Sequence, residues 1–239
     1  MSSWPWSEKD NSPPPPAIRH NPVGGQTSNM EDFMTAIKDH WDNIFSKIED
    51  TKLGWHEKDT SQTFKLLGKI PDLEKATIFL PGAGTSILIE DLLPRVSKLI
   101  LNDISSEALN HVRQRLKEGA EGVVWLCQDI AQPFKESMPE VDLWIDRAVL
   151  HFLTNENDIK GYFENLKSIL KIGGHAVFAE FSLIGAPKCA GLMLHRYSLD
   201  ELSMNLGSSF KVVSHFDYTY INPFGDQRPY IYALFKREK

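Results

Sequence analysis

Between residues 76 and 181, short apolar runs alternate with helix-patterned segments, and most runs stop at a glycine or an acid. Residues 76–80 end at Pro81-Gly82, 98–101 at Asn102-Asp103, 123–127 at Gln128-Asp129 and 141–145 at Asp146; residues 175–181 form a fifth run. Between them, apolar residues recur at helical spacing. They are Ile87, Leu88, Leu92 and Leu93 before Pro94; Ala108, Val112 and Leu116 after the capping residue Ser105; and Ile159, Phe163, Leu166 and Leu170 before Gly173-Gly174. Such alternation requires right-handed crossovers and a parallel sheet covered on both faces. The ending differs. Ser198-Leu199-Asp200-Glu201 is a capping box, and residues 210–220 and 229–235 predict two strands joined by a turn at 222–227. The expected class is therefore α/β, a mostly parallel seven-stranded sheet closed by a C-terminal antiparallel hairpin, with helices on both faces.

Upstream, Phe33, Ile37, Trp41, Ile44, Phe45 and Ile48 form one helical stripe from Met30, and residues 61–67 a second short helix. Leu53-Gly54-Trp55-His56 is the turn between them. Residues 1–29 hold four consecutive prolines, Pro13 to Pro16, and few aliphatics, which predicts a flexible proline-rich extension. Trp4 and Trp6 are its only groups suited to docking on the body. The expected division is an extension, 1–29, and one domain, 30–239. That domain comprises a helical lid at 30–70 and a sheet core at 76–239.

A composition of 41% hydrophobic and 24% charged residues supports a sizeable core. No apolar run approaches the roughly 20 residues of a membrane-spanning helix. Against 26 basic residues stand 32 acidic ones, a net charge of −6, which suits neither nucleic acid nor an anionic membrane surface as partner. Cys127 and Cys189 are too few for a disulfide framework or a cysteine-rich metal site, so no metal is expected, and Cys127 is expected to be a buried structural thiol. The N-terminal residues lack the basic start and apolar block of a secretory signal. A reducing, cytoplasmic location is expected.

Ligands of open parallel sheets sit beyond the carboxyl ends of the strands. Gly82-Ala83-Gly84 follows the first run, where glycines let backbone approach a ligand at a helix start. Asp103 closes the second run about 20 residues later, the distance at which an acid reaches a ribose diol. Asp129 closes the third and is placed to accept from an adenine amino group. Glycine turn, acid and acid in succession point to a nucleoside site. Ile87 stands where a dinucleotide fingerprint would carry its third glycine.

On the stretches 78–86, 99–103, 125–129 and 170–175, the chain resembles the class I S-adenosylmethionine-dependent methyltransferases, over roughly residues 39–236. Residues 142–152, together with Cys189-Ala190-Gly191-Leu192 and Arg196-Tyr197-Ser198, are similar to thiopurine-methyltransferase-like and related bacterial small-molecule enzymes. The resemblance implies a Rossmann-like core and S-adenosyl-L-methionine as cofactor. The implied cofactor-binding residues are Trp55, Gly82, Ala83, Gly84, Asp103, Ile104, Asp129, Ile130 and Asp146. Asp146, Arg147 and His151 are the candidate catalytic residues, and Cys189, His195, Arg196 and Tyr197 the candidate acceptor-binding ones. Two departures stand out: Leu80 replaces the usual acid before the glycine turn, and Ser86 replaces a third glycine. The expected reaction is in-line methyl transfer to a small molecule, favouring a thiol or other chalcogen, by a monomer or weak dimer. The rival readings are a protein lysine N-methyltransferase and an inactive partner-binding domain.

Overall fold

A computed structural model describes residues 26–239, with side chains described from residue 35. Seven strands form one sheet: β1 (Thr77–Leu80), β2 (Lys98–Asp103), β3 (Val123–Cys127), β4 (Val141–Arg147), β5 (Leu170–Phe181), β8 (Phe210–Ile221) and β9 (Gln227–Arg237). Their order is β3-β2-β1-β4-β5-β9-β8. The first five pair in parallel, and β9 runs antiparallel between β5 and β8. The strand order reverses at β1, which places a crevice between the carboxyl ends of β1 and β4. A separate pair of two-residue strands, β6 (Lys188–Cys189) and β7 (Leu192–Met193), was not expected from sequence.

Side-chain alternation along the strands divides the core in two. Ile78, Leu80, Leu99, Leu101, Leu143, Ile145, Val177 and Ala179 pack on one face, joined there by Leu66 and Leu67 of α2 (Ser61–Leu67), Leu88 and Ile89 of α3 (Leu88–Leu92), and Val112 of α4 (Ser106–Leu116). Phe79, Ile100, Trp144, Ala176 and Phe178 pack on the other, under Tyr162, Phe163 and Leu166 of α5 (Glu156–Ile169) and Leu202 and Leu206 of α6 (Leu199–Leu206). Phe79 and Trp144 stack there at 4.5 Å. The two faces account for the near-continuous apolar character of the central strands. Along β9, Tyr230 and Tyr232 are buried on the first face and Phe235 on the second.

Several local expectations change. The helix α1 (Gln26–Lys47) begins inside the segment assigned to the extension; residues 1–25, with Trp4 and Trp6, lie outside the described residues. Ser105 caps α4 by accepting the Ala108 N–H at 3.1 Å. Pro94 does not end the chain's turn abruptly but sits in a 3-10 turn, Leu93–Arg95, after α3. The glycine pair does not stop α5, which ends at Ile169; the chain passes straight into β5, and Gly173 (φ 86) lies in its irregular first stretch. Cys127 is exposed, because β3 is the edge of the sheet and lacks a neighbour on its outer side.

The helix α5 also fixes the loop after β3. Asn165 Nδ2 donates to the carbonyls of Ile130 and Gln132, both at 2.7 Å. Gly161 allows the closest approach: a Cβ there would stand 2.1 Å from the Ala131 carbonyl oxygen. Alanine is intrinsically the better helix former by roughly 1 kcal/mol, yet this clash with backbone outweighs that preference. Gly161→Ala is expected to lower stability by about 1–3 kcal/mol, read as a fall in Tm; an unchanged or higher Tm would show that α5 is not seated this closely.

Candidate active site

The glycine turn after β1 is held by main-chain bonds to β2. Ala83 N–H donates to Asn102 O at 2.7 Å, and Gly84 N–H to Asp103 Oδ2 at 2.8 Å. Gly82 and Gly84 both take positive φ, 49° and 52°. A Cβ on Gly82 would stand 2.4 Å from Val149 Cγ2, so the turn is closed to larger residues on conformation and on space. Ser86, where the sequence pattern led us to look for a third glycine, accepts the Leu88 N–H at 3.2 Å and so supports the start of α3. Leu80 is buried at the floor of the site.

Asp103 is 5% exposed, and its Oδ1 accepts the Ser105 N–H at 2.8 Å. Burial pushes its pKa up to about 6 against these two amide bonds. Asp129 is half-buried, accepts the Ala131 N–H on Oδ1 at 2.8 Å and is likewise raised, mainly by burial. Both acids line one cavity of about 190 Å³ together with Gly82, Ala83, Gly84, Ile104 and Ile130. Two carboxylates flanked by apolar Ile104 and Ile130, beside a glycine cradle, form a donor set that fits a nucleoside: acceptors for a diol, apolar walls for a base.

Aromatic rings roof the cavity. Trp41 of α1 meets Phe152 edge-on at 4.9 Å and Trp55 at 5.7 Å, and Phe45 meets Trp55 at 6.2 Å. Trp55 therefore belongs to a satellite hydrophobic cluster and lines the cavity as well. The roof is tied down at two points. Asp42 of α1 accepts the Ser105 hydroxyl at 2.6 Å, and His40 Nε2 meets Ala190 O of the β6–β7 turn at 3.0 Å.

Three sequence candidates sit at the end of β4, with different fates. Asp146 is fully buried and does not line the cavity, contrary to expectation. Its carboxyl accepts the Val149 N–H (3.0 Å), the Leu150 N–H (3.1 Å) and the Tyr162 hydroxyl (2.5 Å). Strand alternation turns it into the sheet face beside α5, so it orients neither cofactor nor acceptor directly. Arg147 faces the opposite way and lines the cavity. Its Nε lies 2.5 Å from Glu57 Oε2, and Nη1 donates to Trp55 O at 3.3 Å. It thus holds the segment after Trp55 against β4. Glu57 is buried and its carboxyl is raised by that burial, against the pull of Arg147. His151 lines the cavity with its ring buried, and its Nδ1 lies 2.6 Å from Glu180 Oε2.

Of the four acceptor-site candidates after β5, only Cys189 reaches the cavity, where burial pushes its thiol up to about 11. His195 is taken up by Glu201 at 2.5 Å, the acid that a full capping box would have turned back onto Ser198. Arg196 donates to the carbonyls of Leu183 and Gly185, both at 3.0 Å. Tyr197 is wholly buried. Sequence reading missed Trp41, Phe45 and Phe152 as roof residues, and it missed Glu57 and Glu180. An acid in the otherwise apolar run 175–181 was the available signal for Glu180.

The raised pKa of Asp103 has a definite stability signature. Between the unfolded value of 3.8 and about 6, the native protein keeps a proton that the unfolded chain has released. Its contribution is therefore most favourable below pH 4 and is lost as pH rises through about 6. Asp103→Asn does not titrate, so the Tm of that variant should gain on the wild type from pH 4 to 6.5. A difference independent of pH would mean that Asp103 ionises normally.

Residues 80–178 match a family described as a methyltransferase domain. A 97-residue stretch is 30% identical to nodulation protein S of Sinorhizobium fredii, covering 41% of this chain and 44% of that protein. The chain therefore matches less than half the length of this curated relative. The fold is similar to that of the N-methyltransferase NodS from Bradyrhizobium japonicum, solved with S-adenosyl-L-homocysteine. That match has a TM-score of 0.66 at 16% identity and covers 84% of this chain and 98% of that one. It is similar also to a Burkholderia thailandensis 1,6-didemethyltoxoflavin N1-methyltransferase solved with its acceptor and S-adenosylhomocysteine (TM-score 0.62, 13% identity, 92% and 93% covered). Residues 80–178 are thus similar to a methyltransferase domain, and the fold is that of the solved S-adenosylmethionine-dependent methyltransferases.

Proposed function

We propose that this protein transfers a methyl group from S-adenosylmethionine to a small-molecule acceptor. The observation that carries the reading is the convergence of the glycine turn, Asp103 and Asp129 on one aromatic-roofed cavity. Asp103 and Asp129 would accept hydrogen bonds from the ribose and the adenine, Ile104 and Ile130 would flank the base, and the cradle at Gly82–Gly84 would take the amino-acid end. When bound, the cofactor supplies an activated methyl group on a sulfonium. The protein's own tasks are then alignment and exclusion of water. Trp41, Phe45, Trp55 and Phe152 serve the second, and their ring faces favour a cationic centre beneath them. The Arg147–Glu57 pair keeps the roof segment against the sheet.

The small size of the acceptor is supported by the roof, which brings α1, residues 53–57 and the β6–β7 turn over the cavity, and by the toxoflavin enzyme with its bound small acceptor. Within that class the resemblance at residues 142–152 favours a thiol or other chalcogen. Retention of Asp103 and Asp129 in working positions weighs against the inactive, partner-binding reading.

Thermal unfolding in the presence of S-adenosylmethionine, S-adenosylhomocysteine and NAD tests the proposal. A ligand at 100 times its Kd adds about 2.7 kcal/mol, a rise of roughly 5–10 °C here. The two adenosyl compounds should raise Tm and NAD should not. Asp103→Ala should weaken S-adenosylhomocysteine binding by about 1–3 kcal/mol. The absence of any adenosyl-dependent shift in the wild type would end the proposal.

A further inference from the structure

We infer that Glu180 is a positioning residue that makes His151 the proton acceptor of this cavity, so that the methylated group is an N–H or O–H that must shed its proton. The inference rests on the methyl-transfer reading and narrows its acceptor, setting an N–H or O–H group in place of the thiol that the resemblance favours. Glu180 Oε2 lies 2.6 Å from His151 Nδ1, and the same oxygen takes the His151 main-chain N–H at 3.2 Å. An oxygen that receives two donors from one residue fixes both the place and the tilt of the ring. With the proton on Nδ1, the lone pair is left on Nε2. Nε2 is buried without a partner among the described residues, on a residue that lines the cavity. The ring is wedged between Phe152 at 4.5 Å and Phe181 at 4.9 Å, so the lone pair cannot be turned elsewhere cheaply.

Behind this pair lies a second carboxyl. Glu180 and Asp146 are both fully buried, and burial raises both carboxyls, Glu180 to about 8 and Asp146 well above the ordinary carboxylate range, so that two neighbouring acids hold their protons there. The Val149, Leu150 and His151 amides and the Tyr162 hydroxyl, itself receiving Trp144 Nε1–H at 2.8 Å, donate into the two carboxyls. The result is a hydrogen-bonded acid network that holds the imidazole in place from behind. Other groups facing the ring are Arg147 on β4, already paired with Glu57, and the buried Tyr197, whose hydroxyl feels Glu180. The His195 N–H is spent on the His151 carbonyl at 2.8 Å. Burial lowers the His151 pKa to about 3, so the resting ring is neutral at ordinary pH.

The step balances without any further reactant. The acceptor's electron pair forms the bond to the methyl carbon, and the carbon–sulfur pair leaves with sulfur. The acceptor's proton passes to His151 Nε2, and water then takes it from the imidazolium. A thiol already ionised in solution would have no use for this arrangement.

The test uses the full chain. Imidazole ¹⁵N spectra between pH 5.5 and 8.5 should place the His151 proton on Nδ1 with Nε2 unprotonated in the wild type, and Glu180→Gln should abolish that preference. A wild-type ring protonated on Nε2, or on both nitrogens, overturns the inference. S-adenosylhomocysteine binding by calorimetry separates the two levels: no binding by the wild type rejects the methyltransferase reading itself. With binding intact in Glu180→Gln, product release is compared for a primary amine, a phenol and a thiol as probes. Glu180→Gln should lower kcat for the amine or the phenol by about a hundredfold or more at little-changed KM. Wild-type kcat in the variant, or methylation of the thiol alone, overturns the inference. If none of the three is methylated, the tautomer result decides.

Discussion

The Asp103 carboxyl is the joint on which the site hangs. One of its oxygens takes the Gly84 amide and the other the Ser105 amide, so a single side chain ties the glycine turn after β1 to the start of α4. Ser105 extends the tie, capping α4 through Ala108 and donating its hydroxyl to Asp42 of α1. That helix carries Trp41 and Phe45 over the same glycine turn: a Cβ on Gly84 would lie 3.6 Å from Phe45 Cζ. Cradle, acid and roof are thus one hydrogen-bonded chain, and disturbance at any link is expected to reach the others. This explains why an acid whose burial is costly is placed here. The cost of holding it is offset by amide donors, and the same carboxyl lines the cavity.

The acid-rich edge of the sheet carries a second consequence. Asp103, Asp129, Asp146, Glu180 and Glu57 all have raised pKa values, each chiefly through burial, around a site where Arg147 is itself committed to Glu57. Carboxyls raised by burial are disposed to keep their protons, so the cluster is a set of buried acids rather than a strong negative field. The cluster bears on Leu80. With several carboxyls already crowded at the strand ends, an apolar residue at the cavity floor adds no further repulsion to the cluster.

The strand ends were legible because they depend on local rules: an apolar run, a turn residue and a capping side chain occur within a few positions of one another. Gly82, Asp103 and Asp129 were found on that basis, and all three line the cavity. Cys127 was misjudged because its exposure depends on β3 being an edge strand, which is a property of strand order rather than of its neighbours in sequence. His195 and Arg196 were misjudged for a related reason: each finds a nearby polar group, Glu201 or a loop carbonyl, before it can reach the cavity. The pairing of Glu57 with Arg147 joins residues far apart in the chain, and no local pattern announces it.

The end of β4 concentrates these lessons in two consecutive residues. Pleating sends Trp144 and Asp146 to the face covered by α5, and Ile145 and Arg147 to the face covered by α2 and α3. Asp146 therefore enters a buried polar network with Tyr162 and Glu180, whereas Arg147 enters the cavity wall beneath the roof. The turn that follows folds His151 back over the strand end, where it meets Glu180 from β5 on one side and the cavity on the other. One strand thus delivers a buried polar support from behind the sheet and roof attachment from in front of it. Neither residue needs to touch the reacting atoms for the position of His151 to depend on both. A motif that looked like three catalytic candidates in sequence is, in three dimensions, one candidate base and two supports on opposite faces.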